Sequence, residues 1–255
     1  MTSITWETFL ASAAGRTTLA WERGACARFL ASKAGDRALQ VGLADLNPFA
    51  ASPITHRILV DDFVSPKADK DDFRDRVVAL PAELPLEGES CDVVVLAHAF
   101  DRFPQDMDAV TREAARVLAP NGLLVTLFFN AIGGWSLKGR LFSSRRILPD
   151  NAGAVTMASA KAAVAAAGLT LEGGNFGVYA VSPNPDGSPV RLPGWIDKAG
   201  DRWWPTLSNI IVLTARKLDE SATLVGKVNF SVGKTAKPVP AALRNLKNSE
   251  ETPRQ

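Results

Sequence analysis

The sequence predicts an α/β fold with a doubly wound sheet, and three observations support that prediction. Five apolar runs rich in β-branched residues recur between residues 38 and 129. They are nearly continuous instead of alternating, as expected for strands buried on both faces of a parallel sheet. A clear helical pattern separates the fourth run from the fifth, which predicts a parallel strand, helix, strand unit. A hairpin-like pair of strands near 169–181 and 209–217 completes the pattern.

The five runs that predict strands lie at 38–41, 58–60, 77–80, 93–97 and 123–129. Helical spacing of apolar residues predicts an opening helix from Trp6, a second helix after Gly15 that ends around Gly35, and a third after Asp106. Asp106 can cap the third helix, and Pro120-Asn121-Gly122 stops it. Thr156 is expected to cap an alanine-rich helix that Gly168 closes.

The composition of the chain argues against several classes of protein. The chain has 255 residues, of which 46% are hydrophobic and 22% charged, and its formal net charge of +2 gives no whole-chain argument for nucleic acid. No apolar run reaches the roughly 18 residues of a membrane span, and the N-terminus does not resemble a secretory signal, so a cytoplasmic location is expected. Two cysteines and two histidines argue against a disulfide framework and a metal site.

The domain prediction is one domain over residues 1–217, with substrate or lid insertions within 131–205, followed by a polar basic tail at 218–255. Residues 131–149 carry no acid but four basic residues interleaved with apolar ones: Lys138, Arg140, Arg145 and Arg146. This segment can cover a site, bind an acidic substrate, lie on an anionic membrane or form a solvated helix face. A protein partner can bind this segment or the tail.

In a doubly wound sheet, the ligand site lies at the carboxyl ends of the strands. Asp61 follows the second strand 19 residues beyond Gly42, close to the spacing of about 20 residues expected of a ribose-binding carboxylate. Its neighbour Asp62 can take the same role, and either acid can instead cap a helix or belong to a solvated loop. Gly42 can serve a tight turn or a cofactor contact.

Two segments carry a family resemblance. Residues 84–101 are LPLEGESCDVVVLAHAFD, and residues 112–125 are REAARVLAPNGLLV. Both resemble class I S-adenosylmethionine-dependent methyltransferases of the type 11-like group. The resemblance implies a seven-stranded, mostly parallel, Rossmann-like sheet with an antiparallel last strand. It also implies that S-adenosylmethionine lies across the first, second and fourth strand ends, near these residues: Gly42, Asp61, Asp62, Pro81, Ala97 and His98.

His98 is the candidate catalytic residue, because an imidazole can accept a proton near neutral pH. Its position after the fourth strand is equally compatible with a positioning role. Asp92, at the start of that strand, is expected to form structural hydrogen bonds. Methyl transfer needs no general base, since alignment of the reacting groups supplies much of the acceleration.

The first loop departs from the family's (E/D)xGxGxG pattern. Gln40 stands at the position of the acid, and Ala44 and Leu46 replace the second and third glycines. Leu80 stands where the family carries an acid that binds adenine. Two hypotheses follow: methyl transfer from S-adenosylmethionine to a small or lipid-like substrate, or a catalytically inactive relative that acts as a binding or regulatory partner.

Overall fold

A computed structural model describes residues 3–63, 72–142, 146–179 and 207–218. These residues belong to one compact unit, Met1–Asp219. Nearly all of the predicted tail at 218–255 and much of the predicted insertion at 131–205 lie outside the described residues. The domain boundaries therefore stay a prediction.

The core of the fold is a seven-stranded sheet in the order β3-β2-β1-β4-β5-β7-β6. The strands from β1 to β5 pair in parallel, whereas β7 is antiparallel to both β5 and β6. This topology confirms the predicted mostly parallel sheet with its antiparallel final pair. The strand bounds are β1 (Arg37–Val41), β2 (His56–Asp61), β3 (Asp75–Val78), β4 (Cys91–Ala97), β5 (Leu118–Phe129), β6 (Leu169–Gly177) and β7 (Ile210–Lys217).

Helices cover both faces of the sheet. Helix α2 contributes Leu19, Cys26 and Leu30 to the core on one face, while α4 and α6 contribute to the core on the other face. The central strands are apolar on both sides because both sides are covered, which explains their continuous hydrophobic runs. The helix bounds are α1 (Trp6–Ala11), α2 (Ala13–Leu30), α3 (Ala99–Arg102), α4 (Met107–Val117), α5 (Gly134–Leu141) and α6 (Met157–Ala166).

Local hydrogen bonds account for several predicted boundaries. The Thr156 hydroxyl accepts from the Ser159 amide at 3.0 Å and forms a capping box at the start of α6. Gly168 follows that helix with a φ of +77°, a conformation that favours glycine. The Asp92 carboxylate accepts from the Asp36 amide at 2.7 Å, which confirms its structural role.

Other boundaries differ from the prediction. Asp106 precedes α4, but its side chain makes no capping hydrogen bond. Helix α2 ends at Leu30, the last residue of its buried stripe, and not around Gly35. Strand β5 already pairs with β4 at Leu118, and a register irregularity accommodates Pro120-Asn121-Gly122 inside the strand. Strand β3 ends at Val78 because its partner there, Asp61, is the last residue of β2.

Candidate functional site

The candidate site lies where the carboxyl ends of β1, β2 and β4 meet. Strand β1 pairs in parallel with β2 on one side and with β4 on the other, so the chain order reverses at this point of the sheet. Ligands of open α/β sheets bind at such a switch point. The sheet therefore brings Gly42, Asp61 and His98 to one edge, as the sequence predicted.

Gly42 makes the turn that leaves β1. Its φ is +81°, and a Cβ atom here would lie 2.8 Å from the carbonyl oxygen of Ala97, closer than a side chain can approach. The Gly42 amide also donates to the carbonyl of Val60 at 2.8 Å. The backbone conformation and the nearness of β4 thus require glycine at this position.

The rest of the first loop is packed into the core. A short 3₁₀ helix, Ala44–Leu46, follows the turn, and Leu46 is completely buried. Its side chain lies in the same hydrophobic cluster as Phe49 and the buried face of α2. Leu46 therefore fills space at the position where the family pattern has its third glycine.

Gln40 secures the same loop from within β1. Its side-chain amide donates to the carbonyl oxygens of Gly42 at 3.0 Å and Leu43 at 2.6 Å. An ionised carboxylate has no proton to donate, so the acid of the family pattern could not make these bonds. The glutamine accordingly ties the loop to its own strand.

Asp61 and Asp62 share an arginine that the sequence analysis did not single out. Nη1 of Arg102 lies 2.5 Å from Oδ1 of Asp61, and its Nη2 is bonded to Oδ1 of Asp62. The Arg102 side chain is only 10% exposed, and its guanidinium lies near the rings of Phe63 and Phe103. Arg102 thus occupies the space beside the predicted ribose-binding carboxylates.

Asp61 nevertheless keeps an unused acceptor. Its Oδ1 accepts from Arg102 and from the Asp62 amide, but its buried Oδ2 has no hydrogen-bond partner among the described residues. Burial raises the pKa of Asp61, and the charge and hydrogen bond of Arg102 only partly oppose this rise. A buried carboxylate oxygen without a donor costs free energy, and a ligand hydroxyl could satisfy it.

Exposed apolar side chains follow β2 and β3 just beyond the ends of these strands. Phe63 follows β2 and is 52% exposed, and Leu80 follows β3 and is 51% exposed. Asp61 pairs with Val78, so Phe63 and Leu80 each lie two residues beyond this matched pair. The edge next to Asp61 therefore presents apolar surface of the kind that accepts a flat ring.

His98 lies at the end of β4 in a fully buried polar network. Its Nε2 is 2.7 Å from Oε1 of Glu22, and its Nδ1 is 2.8 Å from Oδ2 of Asp101. Asp101 also accepts from the amides of Phe129 at 2.9 Å and Gly153 at 3.2 Å. The network thus joins α2, β4, β5 and the loop before α6.

The network keeps the His98 imidazole charged. Burial alone would lower its pKa, but the charge of Glu22 and the hydrogen bonds with Asp101 and Glu22 outweigh burial and raise the pKa to about 10. The ring centroids of Trp6 and Phe129 lie 5.2 and 4.5 Å from the imidazole. A buried imidazolium whose two nitrogens are both engaged has no lone pair for a substrate proton, so this geometry suits a positioning role.

The remaining predicted contacts lie at the same edge. Ala97 is the last residue of β4, is buried, and directs its carbonyl oxygen toward Gly42. Pro81 is buried in the turn that follows β3. The cofactor contacts predicted for these residues stay predictions.

Sequence reasoning missed Arg102, Glu22 and Trp6. Glu22 had a detectable signal, because it falls three residues after Leu19 and four before Cys26, within the buried stripe of α2. An acid in such a stripe indicates a buried partner. Arg102 and Trp6 gave no such signal, because neither is a charged residue within an apolar stripe.

The fold is a Rossmann-like α/β fold of the kind found in class I methyltransferases. Residues 59–126 match the family described as a methyltransferase domain. A methyltransferase from Thermotoga maritima is 16% identical, with a TM-score of 0.60, over 83% of this chain and 94% of that one. The YcgJ protein of Bacillus subtilis is also 16% identical, with a TM-score of 0.53, over 78% and 99% of the two chains.

A chain in a complex of the Haloferax volcanii Trm112 methyltransferase activator is 18% identical, with a TM-score of 0.55, over 81% of this chain and 94% of that one. No curated protein matches the sequence. The family match covers the central segment and the solved structures share the fold, so together they confirm the predicted resemblance to class I S-adenosylmethionine-dependent methyltransferases. Within the described residues, no helix has the length and apolar character needed to span a membrane.

Proposed function

We propose that the protein transfers a methyl group from S-adenosylmethionine to a small or lipid-like acceptor. The observation that carries this proposal is the buried Oδ2 of Asp61, which lacks a donor at the switch point of the sheet. A ribose hydroxyl supplies such a donor. The apolar surfaces of Phe63 and Leu80 on the solvent side suit the attached base.

The other residues at the carboxyl edge of the sheet have separate roles in the proposed reaction. Gly42 lets the backbone of the first loop approach a ligand closely, and the carbonyl of Ala97 faces the same turn. A ribose that uses both carboxylate oxygens of Asp61 has to compete with Arg102, whose guanidinium bonds Oδ1. His98 holds β4 and β5 in position and takes no proton.

Asp61 and Gly42 would hold S-adenosylmethionine, which when bound would supply a methyl group on a positively charged sulfonium, the S–CH₃ bond breaking as the acceptor bonds to carbon. The acceptor would lose its proton to solvent or buffer, and S-adenosylhomocysteine would be the leaving group. The contribution of the protein is alignment and the exclusion of water, which supply much of the acceleration of an in-line displacement.

Calorimetric titration with S-adenosylhomocysteine tests the proposal. We expect the wild-type protein to bind, and Asp61→Asn to bind at least about tenfold more weakly. The amide of asparagine is a weaker hydrogen-bond acceptor than the carboxylate and lacks the negative charge that orients two hydroxyls. Asp106→Asn, before α4, is the matched control and should bind like the wild type. Absence of wild-type binding at millimolar ligand would rule the proposal out.

A second candidate is a non-catalytic protein that keeps the fold and serves as a binding or regulatory partner. The ion pairs of Arg102 with Asp61 and Asp62 favour it, because they satisfy part of the ribose site from within. The same titration separates the two candidates. Binding of S-adenosylhomocysteine that depends on Asp61 supports the enzyme, and no binding supports the partner.

A further inference from the structure

Among the described residues, Trp135 and Ser136 on one face of helix α5 attach it to the segments beside the sheet. The Trp135 amide donates to Oδ1 of Asn209 at 2.7 Å, and the Ser136 hydroxyl donates to the carbonyl of Asn130 at 2.7 Å. Trp135 and Ser136 are buried, whereas the other side of the helix is exposed. We define the α5 surface by its exposed residues: Ile132, Leu137, Arg140, Leu141 and Phe142.

The α5 surface is unusually apolar for an exposed helix. Leu141 is 74% exposed and Phe142 is 54% exposed, and Leu137 lies one helical turn before Leu141 on the same face. Ile132, just before the helix, is exposed as well. Neighbouring exposed apolar side chains are costly in water and mark a surface that contacts an apolar phase.

The same surface carries an exposed basic residue, Arg140. The sequence has no Asp or Glu between residues 114 and 149, and Arg140 is exposed. Asp150, the first acid that follows, is paired with Arg146 at 2.7 Å and accepts from the Ser3 hydroxyl. Nothing acidic in the segment therefore offsets the charge of Arg140.

A cavity lies between the two arginines. It measures about 260 Å³, is open to solvent, and is lined by Arg140, Arg146, Trp135 and Leu148 among others. One guanidinium nitrogen of Arg140 donates to the carbonyl of Gly153 at 3.3 Å. Arginine presents five N–H groups in a planar fork, so this single bond leaves donors for a phosphate oxygen.

From these observations we propose that the α5 surface docks the protein on an anionic lipid bilayer. Leu141 and Phe142 enter the boundary between headgroups and acyl chains, and Arg140 contacts a headgroup phosphate at the mouth of the cavity. Charge complementarity selects this occupant, because basic residues beside exposed apolar ones are the pattern of an interfacial helix. The docking does not depend on the proposed methyl transfer.

Flotation of the full-length protein with lipid vesicles tests the docking. One set of vesicles contains phosphatidylcholine alone, and the other also contains about one third phosphatidylglycerol, an anionic lipid that adds surface charge. We expect at least about fivefold more bound protein on the anionic vesicles, and less binding as salt rises and screens the charges. Equal binding to both sets, or to neither, would overturn the proposal.

Two independent variants probe the two parts of the surface. Arg140→Glu and the double variant L141S/F142S are each expected to lower binding to anionic vesicles about fivefold or more, since each removes one attraction. The matched controls are Arg112→Glu on α4 and Leu218→Ser, whose leucine is 56% exposed just after β7. Both controls should bind vesicles within about twofold of the wild type, because surface substitutions away from the α5 surface have small effects.

Two other results would contradict the docking. If the controls lose as much binding as the α5 variants, the attraction is not localised on the α5 surface. If the wild type sediments as a dimer that L141S/F142S converts to a monomer, a second copy of the chain covers the surface and no bilayer is needed. Thermal melting of each variant shows that a loss of binding does not come from unfolding.

Discussion

Arg102 and Asp61 form an ion pair, with Nη1 and Oδ1 2.5 Å apart, at the carboxyl edge of the sheet. The arginine ends α3, after β4, and the aspartate ends β2, so the pair bridges strands on either side of β1. It places a cation beside the two carboxylates for which we propose a ribose contact. Cofactor affinity is therefore a competition between an internal partner and a ligand.

Replacing Arg102 should strengthen cofactor binding. We expect Arg102→Gln to bind S-adenosylhomocysteine about tenfold more tightly than the wild type, because the ligand no longer displaces a charged hydrogen bond worth roughly 1.5–3 kcal/mol. Calorimetry measures the change, with Arg112→Gln on α4 as control. A weaker Arg102→Gln complex would show that Arg102 holds the ligand directly.

The charge of His98 predicts how stability changes with pH. The pKa of the imidazole is raised from its ordinary value of 6.5 to about 10 in the folded protein. The folded state therefore holds the proton more tightly than the unfolded state, and the resulting stability is complete below about pH 6.5 and is lost as pH rises toward 10.

Chemical denaturation between pH 6 and 10 measures this effect. The unfolding free energy of the wild type should fall over that interval, and His98→Asn should show a much smaller decline. His56→Gln is the control, because His56 lies at the start of β2, away from the His98 network, and its Nε2 pairs with Asp75 at 2.6 Å. An unchanged slope in His98→Asn would contradict the assignment.

Glu22 should be a major determinant of stability. Its Oε1 pairs with His98 while Oε2 has no partner among the described residues, and both side chains are fully buried. Glu22→Ala leaves a buried imidazolium with one partner fewer and should cost about 3–5 kcal/mol of unfolding free energy. Glu83→Ala, at an exposed turn, should cost less than about 0.5 kcal/mol. Equilibrium urea unfolding compares them.

Leu46 tests whether the altered first loop belongs to the core. Because Leu46 is completely buried, Leu46→Ala should destabilise the protein by about 2–5 kcal/mol. Leu141→Ala, at a largely exposed position, should stay within about 0.5 kcal/mol of the wild type. A small effect at Leu46 would instead indicate that the loop can open to admit a ligand.

Much of the fold could be predicted because its determinants are local or periodic. Continuous apolar runs predicted the buried strands, and Thr156 and Gly168 predicted the limits of α6. The predicted boundaries were wrong where a neighbouring strand sets the end of an element. Strand β3 stops at Val78 because its partner strand β2 ends at Asp61. The sequence of residues 75–80 does not show where the partner strand ends.

The candidate site was predicted only in part. Strand ends placed Gly42, Asp61 and His98 correctly at one edge, since parallel strands align their carboxyl ends. The partners of these residues could not be predicted. Glu22 lies 76 residues from His98 along the chain, and Arg102 lies 41 residues from Asp61.

The sequence by itself determined that this protein is a doubly wound α/β domain with a methyltransferase-like central segment. Hydrophobic periodicity and strand-end spacing are properties of residues close together in the chain, so they can be recognised in the sequence alone. Only the tertiary structure decided that Arg102 pairs with both Asp61 and Asp62 and that His98 is buried between Glu22 and Asp101. Charge pairing and desolvation depend on distances between remote residues, and those distances exist only once the chain has folded.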